Sequence, residues 1–150
     1  MRRMSIAAGL ALMAGAAAAQ DSGPRIDEIY WHNIDSYCSF MRADHQFDYN
    51  DPGSWRWVLF TNFPTDSADP LETPFMRIDG QLRQLAQTGV QAIDGGELRS
   101  YVSHDAEPYE IEVSLLNGEK GYESSAFSGV ITVARNGASG EVAYKGDCGV

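Results

Sequence analysis

The sequence has little cysteine: Cys38 and Cys148 are the only two in 150 residues. They form no CxxC motif, and neither is followed by the Cys or His spacing of a zinc site. The scarcity therefore argues against the common cysteine-based redox and zinc motifs. It also leaves one intramolecular pairing, Cys38 with Cys148, if the chain reaches an oxidising compartment.

Histidine is equally scarce, and the chain has no HxH or HExxH arrangement that would indicate a metal site. The three histidines are spread along the chain as His32, His45 and His104. A GxSxG nucleophile elbow is absent, and the RNGASGE stretch lacks the length and context of a phosphate-binding loop. Nothing here points to catalysis, and we expect a non-enzymatic protein without a metal or another cofactor.

The segment DYNDPG resembles the start of a calcium-binding EF-hand loop. The twelfth position of that loop requires a bidentate carboxylate, and counting from Asp48 it is Leu59. The EF-hand pattern therefore fails. An irregular calcium site using Asp44, Asp48 and Asp51 stays open as a hypothesis beside a solvated acidic turn.

Positive charge is the third shortage, with 11 Lys and Arg against 21 Asp and Glu and a formal net charge of −10 at pH 7. Binding to nucleic acid or anionic lipid relies on Lys and Arg that displace counterions. We therefore expect no nucleic-acid partner. A strongly basic protein partner is compatible with this charge, and so is a simple requirement for solubility.

The first nineteen residues hold the chain's clearest hydrophobic run. Arg2 and Arg3 precede an apolar stretch, residues 6–14, and small residues follow up to Ala19. This is the pattern of a secretory signal peptide, and it is too short to span a bilayer stably; a buried first helix is the alternative. We predict cleavage after Ala19, which leaves one periplasmic or secreted domain, residues 20–150, without a membrane span.

Export delivers the two cysteines to a space in which paired thiols oxidise. We predict a Cys38–Cys148 disulfide that fastens the C-terminal end of the chain to an early element. In the chain-entropy treatment, a loop of about 110 residues restricts the unfolded state by roughly 4–5 kcal/mol.

Period-two alternation dominates the chain after Pro52. SWRWVLFTNF, GGELRSYVSH and YEIEVSL predict strands, and FMRIDGQLRQL predicts a hairpin with a type I′ turn at Asp79-Gly80. The end of the chain, GVITVARNGASGEVAYKGDC, predicts a strand, a loop over residues 136–140 and a second strand. NFPTDSADPLETP predicts the longest loop.

About seven short strands at this spacing are typical of an antiparallel sheet in a sandwich or small barrel. The predicted fold class is therefore mainly β, all-β or α+β, with a small sandwich or partial barrel. Apolar residues between Ile26 and Met41 recur at three- and four-residue steps. For that segment we predict a short N-terminal helix or an irregular structure, although its aromatic and β-branched residues are also strand formers.

Ten aromatic residues lie between Tyr30 and Phe63. They either form part of the core, because aromatic side chains dominate small cores, or present a surface to a ligand. The binding hypothesis places Trp55, Trp57 and Tyr49 at that surface. It would be a docking patch for a protein or a stacking platform for a sugar ring.

In outline, with a leader, a short acidic β-domain and one disulfide, the chain is similar to the periplasmic lysozyme-inhibitor families. The likeness is architectural, so it carries over no site residues. It implies a cationic enzyme as target. We expect an exported binding or accessory protein that acts through protein contacts, with an inhibitor of a basic enzyme as one form and a carbohydrate- or small-ligand-binding module as the alternative. The sequence leaves the oligomeric state open.

Overall fold

The structure, a computed structural model, describes residues 23–62 and 72–149. The strands are β1 (Ile26–Asp27), β2 (Ile29–Tyr30), β3 (Cys38–Arg42), β4 (Arg56–Trp57), β5 (Leu59–Asn62), β6 (Thr73–Ile78), β7 (Gln81–Ile93), β8 (Gly96–Ser103), β9 (Glu110–Lys120), β10 (Ser124–Arg135) and β11 (Ala138–Gly149). A single turn of 3₁₀ helix covers Pro52–Ser54.

Eight of these strands form a closed, barrel-like antiparallel sheet. They follow one another around the ring in chain order, from β3 through β5, β6, β7, β8, β9 and β10 to β11. The ring closes because β11 pairs with β3 and because β6 pairs with both β5 and β7. The prediction of a mainly β fold with an antiparallel sheet is confirmed, and the sheet closes on itself.

The interior of the ring is filled by inward-facing side chains from every strand. Alternation places Ile111, Val113 and Leu115 of β9 inside, as YEIEVSL predicted. The buried core cluster comprises Ile26, Cys38, Phe40, Val58, Leu59, Met76, Ile78, Leu85, Tyr101, Tyr109, Ile111, Val113, Leu115, Ile131, Val133, Val142, Tyr144 and Cys148. An eight-stranded ring has about the width that such side chains fill.

Two hairpin turns have positive φ at both central residues. Asp79 and Gly80 have φ values of 49° and 80°, so the predicted turn is confirmed. Asn136 and Gly137 have φ values of 53° and 77°, and β11 begins at the next residue. The loop predicted over residues 136–140 is therefore wrong, because a two-residue turn is sufficient to reverse the chain there.

The prediction of a short N-terminal helix is also wrong. Residues 26–42 contain three short strands, because Ile26 pairs with Ile78 and Ile29 pairs with Trp57. Pairing with distant strands outweighs the local three- and four-residue periodicity. Residues 23–62 and 72–149 contain no α-helix, and hence no helix of the length and apolarity needed to cross a membrane.

The strand predicted from SWRWVLFTNF is divided at Val58. The Val58 amide donates to Phe40 O at 2.8 Å, while Leu59 is the residue paired with Phe40. Two residues thus oppose one, as in a β-bulge, and the alternation of inward and outward side chains changes there. Trp57 consequently faces outward, whereas Val58 and Leu59 both join the interior core.

The predicted disulfide between Cys38 and Cys148 is confirmed. The two residues are directly paired across β3 and β11, where the first and last strands of the ring meet. The predicted leader, residues 1–19, lies outside the described residues. So do residues 63–71, most of the segment predicted as the longest loop.

Candidate functional site

A second apolar cluster lies on the outside of the ring. Its buried members are Ile29, Trp55, Trp57 and Phe60. Strands β2 and β4 form a two-stranded sheet, in which Ile29 pairs with Trp57. Phe60, which faces outward on β5, stacks on Phe75 with ring centroids 5.0 Å apart and connects the cluster to the wall of the ring. The small sheet therefore covers an apolar area of that wall.

The three residues of the binding hypothesis lie together but differ in exposure. Trp55 and Trp57 are 7% and 4% exposed, whereas Tyr49 is 68% exposed. Two further aromatic residues, Trp31 at 49% and Phe47 at 41%, are exposed beside them. We call Trp31, Phe47 and Tyr49 the aromatic patch; Trp55 and Trp57 lie at its base.

Ring contacts connect the patch to its base. The Phe47 ring centroid is 5.1 Å from that of Trp55 and 5.8 Å from that of Trp57, and the Tyr49 centroid is 5.4 Å from that of Trp55. Trp55 and Trp57 meet each other in an edge-to-face contact at 6.0 Å. These separations are within the range in which aromatic pairs attract.

Hydrogen bonds from the two buried indoles position the patch backbone. Trp55 Nε1 donates to Tyr49 O at 3.4 Å, and Trp57 Nε1 donates to Trp31 O at 3.1 Å. The indole N–H of each buried tryptophan is therefore paired with the backbone carbonyl of an exposed aromatic residue. Trp55 and Trp57 act here as supports, because their rings are covered and their N–H groups hold the residues above them.

The loop that carries Phe47 and Tyr49 is closed by the buried Ser54. Ser54 Oγ accepts a hydrogen bond from the Asp48 amide at 3.0 Å and lies 2.7 Å from Asp48 O. His45 Nε2 lies 2.6 Å from Ser54 O, and Asp51 Oδ1 accepts from the Gly53 amide at 2.9 Å. A loop closed at both ends loses less conformational entropy when it binds a partner.

The same loop is acidic. Asp44, Asp48 and Asp51 are exposed, and none of them forms an ion pair with a described cation. Within residues 23–62 and 72–149, no group of three His, Cys, Asp or Glu side chains is placed to hold a metal ion. Asp48 and Asp51 instead accept hydrogen bonds from the amides of Asn50 and Gly53. This geometry favours the acidic turn over the calcium hypothesis.

Two groups of charged and polar side chains in the ring pair with one another. The Tyr109 hydroxyl donates to Asp79 Oδ2 at 2.6 Å, and burial together with this hydrogen bond raises the pKa of Tyr109. The Arg83 and Arg135 guanidinium groups both lie against the Tyr109 ring, with distances from guanidinium carbon to ring centroid of 4.6 Å and 4.0 Å. Elsewhere, Arg99 pairs with Glu97 and Glu72.

None of the three histidines donates to or accepts from a serine, threonine or cysteine side chain in the described part of the chain. The described residues therefore show no histidine hydrogen-bonded to a nucleophilic side chain. The aromatic patch, by contrast, presents three exposed aromatic side chains in one place.

The binding hypothesis omitted Trp31 and Phe47 from the site. The available signal was their polar sequence context, because Trp31 precedes His32-Asn33 and Phe47 lies between Gln46 and Asp48. Trp55 and Trp57 lie on one face of the strand predicted from SWRWVLFTNF, and this alternation does not distinguish a buried support from an exposed contact. Phe63, the last of the ten aromatic residues that begin at Tyr30, lies outside the described residues.

Fold and site together define a closed, barrel-like antiparallel β protein with an aromatic patch on its outer wall. Comparison of the chain with protein-family models, curated proteins and solved structures found no match.

Proposed function

We propose that this chain is an exported binding protein that acts through protein contacts, with a basic protein as partner and the aromatic patch as contact surface. The observation that carries the proposal is the joint exposure of Trp31, Phe47 and Tyr49 above a buried support. Exposed clusters of large aromatic side chains are typical of the central contacts in protein interfaces.

Charge selects the kind of partner. The chain has a net charge of −10, and the patch loop carries the unpaired carboxylates of Asp44, Asp48 and Asp51. Aromatic faces and carboxylates both attract Arg and Lys side chains. A partner with a basic surface would therefore meet both components at once. A basic enzyme inhibited by this contact is the specific form that the outline resemblance implies.

The disulfide supports an exported location, because such bonds persist in oxidising compartments. The periplasm and the extracellular space both satisfy this condition. The leader predicted at residues 1–19 is the sequence feature that supports the same location.

Capture from a periplasmic extract tests the proposal. The oxidised chain, residues 20–150, is immobilised, and the retained proteins are identified by mass spectrometry. We expect retention of a basic protein that weakens as sodium chloride increases, because screening reduces attraction between opposite charges. Tyr49→Ala and Asp44→Asn should each reduce the amount retained, with a loss of about tenfold for Tyr49→Ala.

Matched controls lie at the end of β9 and in the turn that joins it to β10. Tyr122→Ala removes an exposed aromatic side chain, and Glu119→Gln removes an exposed carboxylate, both outside the patch. Neither should change retention. Equal retention by the patch variants and the controls would contradict the proposal, and so would retention of acidic proteins only.

A carbohydrate-binding module is the second candidate, favoured by the open ring of Tyr49. Sugar stacking needs an accessible ring face, and Trp55 and Trp57 are covered. Affinity electrophoresis in gels containing soluble polysaccharides separates this candidate from the first. Retardation that does not respond to salt and disappears in Tyr49→Ala would favour carbohydrate over a basic protein.

A further inference from the structure

Strand β7 extends well beyond the neighbour that closes the ring. It has 13 residues, whereas β6 has 6 and pairs with β7 only from Phe75 opposite Gln84 to Ile78 opposite Gln81. Beyond Gln84, β7 pairs with β8 on one side, and no described strand pairs with its other side. Within the described part of the chain, residues 85–93 therefore form an edge without a paired strand, called the free edge below.

The hairpin geometry identifies which backbone groups this free edge presents. Ile93 and Gly96 are paired across the two-residue turn Asp94-Gly95, so they exchange hydrogen bonds. Hydrogen-bonded and non-hydrogen-bonded pairs alternate along an antiparallel ladder. The N–H and C=O groups of Val90 and Ala92 therefore point away from β8, and both residues are exposed.

The free edge lacks two of the usual protections against pairing with another chain. Its sequence, LAQTGVQAI, contains no charged residue and no proline. It has one protective feature, an irregularity between Gln87 and Gly89 in the ladder with β8. The stretch from Val90 to Ile93 lies beyond that irregularity and is regularly paired with β8.

Charge indicates what can approach this edge. Two copies of a chain with a net charge of −10 repel each other over most of their surfaces. The free edge is an exception, because pairing it with its own copy places no like charges opposite each other. An uncharged segment also offers nothing to attract a strongly charged partner.

We propose that the free edge pairs antiparallel with the same edge of a second copy of this chain. The two-fold axis passes beside Gln91, so that Val90 of each copy faces Ala92 of the other. Each of these two equivalent pairs exchanges N–H to C=O hydrogen bonds in both directions. The resulting dimer joins two rings edge to edge and leaves both aromatic patches on other parts of the wall.

Sedimentation velocity of the oxidised chain, residues 20–150, tests the pairing over a range of protein and salt concentrations. We expect a monomer–dimer equilibrium in which salt increases the dimer fraction, because screening weakens repulsion between the negative copies. This response is opposite in sign to that expected for a basic partner at the aromatic patch. Hydrogen exchange at the Val90 and Ala92 amides should slow as the dimer forms.

Two variants address the edge itself. Val90→Pro removes a donor that faces away from β8 and so leaves the β7–β8 ladder paired. Gln91→Lys places like charges opposite each other at the two-fold axis. Both should weaken the dimer by about tenfold or more, whereas Val90→Thr keeps the amide and should dimerise as the wild type does.

Several outcomes would overturn this inference. One is a wild-type chain that stays monomeric at every concentration, whether its Val90 and Ala92 amides exchange freely or are protected by another segment of the same chain. Another is a dimer that Gln91→Lys leaves unchanged. Gln91→Lys alone decides the matter if Val90→Pro does not fold, which circular dichroism would reveal.

Discussion

Tyr144 connects the interior of the ring to its wall at the scale of one residue. The side chain is buried against Phe40, and its hydroxyl donates to Ser114 O at 2.7 Å. Ser114 Oγ in turn accepts from the Val130 amide at 2.9 Å. The Tyr144 hydroxyl therefore pairs with the backbone carbonyl of Ser114, and the side chain of Ser114 itself takes part in the pairing of β9 with β10.

Replacing Tyr144 with Phe keeps the ring and removes this hydrogen bond. We expect Tyr144→Phe to lower the free energy of unfolding by about 1–2 kcal/mol, because the Ser114 carbonyl loses its partner inside the protein. Urea unfolding followed by circular dichroism measures the change. Tyr122→Phe, at a fully exposed position, should have no effect; equal losses in both variants would contradict the assignment.

The ionisation of Tyr144 determines how the cost of this substitution varies with pH. Burial raises the pKa of Tyr144, so the folded state holds the phenol proton more tightly than the unfolded state does. The stability from this group is complete below the ordinary phenol pKa of about 10 and declines as the pH rises above it. The cost of Tyr144→Phe should therefore be equal at about pH 5 and about pH 8.

At the scale of strands and turns, Gly129 and Gly137 are required for different reasons. A Cβ atom at Gly129 of β10 would lie 2.0 Å from the backbone oxygen of Ser114 in β9. At Gly137 a Cβ would meet nothing within 4 Å, but the residue has a φ of 77° in the turn between β10 and β11. Close approach governs the first position and backbone conformation governs the second.

The two positions should respond to alanine with different magnitudes. We expect Gly129→Ala to cost about 3 kcal/mol, because the strands must separate to accept the methyl group. Gly137→Ala should cost about 1 kcal/mol, the usual penalty for a non-glycine residue with positive φ. Urea unfolding of both variants measures the order, and a larger loss for Gly137→Ala would contradict this account of the β9–β10 contact.

The disulfide acts at the scale of the whole molecule. Cys38 and Cys148 are 110 residues apart in sequence and directly opposite each other across β3 and β11. The bond therefore constrains nearly the whole described chain at the pairing that closes the ring. Its contribution comes mainly from the unfolded state, which it keeps from expanding.

Removing both cysteines should expose that contribution. We expect the double variant Cys38→Ser and Cys148→Ser to lose about 4 kcal/mol in free energy of unfolding, because the loop no longer restricts the unfolded chain. Urea unfolding measures the loss. Reduced wild-type protein should match the double variant, and reduction should not affect the variant; a loss below about 1 kcal/mol would show that the closure depends little on the bond.

Local sequence predicted the elements whose chemistry is local. Asp79-Gly80 formed its turn because both residues tolerate positive φ, and β9 followed from the alternation of Ile111, Val113 and Leu115. The helix expected between Ile26 and Met41 failed because short strands there pair with residues far along the chain. The bulge at Val58 had no local signal, since it depends on the position of Phe40.

For the candidate site, the sequence located the aromatic residues but not their exposure. Trp55 and Trp57 could have been contact residues or core from their spacing, and the pairing of β2 with β4 buried them. Trp31 and Phe47, separated from them in sequence, became exposed neighbours through the same folding. Exposure depends on what lies above a side chain, which no local pattern contains.

The sequence by itself determined that the cysteines had one possible partner each, that the net charge is strongly negative and that most of the chain alternates as strands. These properties depend on composition and on neighbours in sequence. Only the tertiary structure decided that the sheet closes, that β7 keeps a free edge and that an aromatic patch lies outside the ring. Those features result from pairing between distant segments, whose register and neighbours are set when the chain packs.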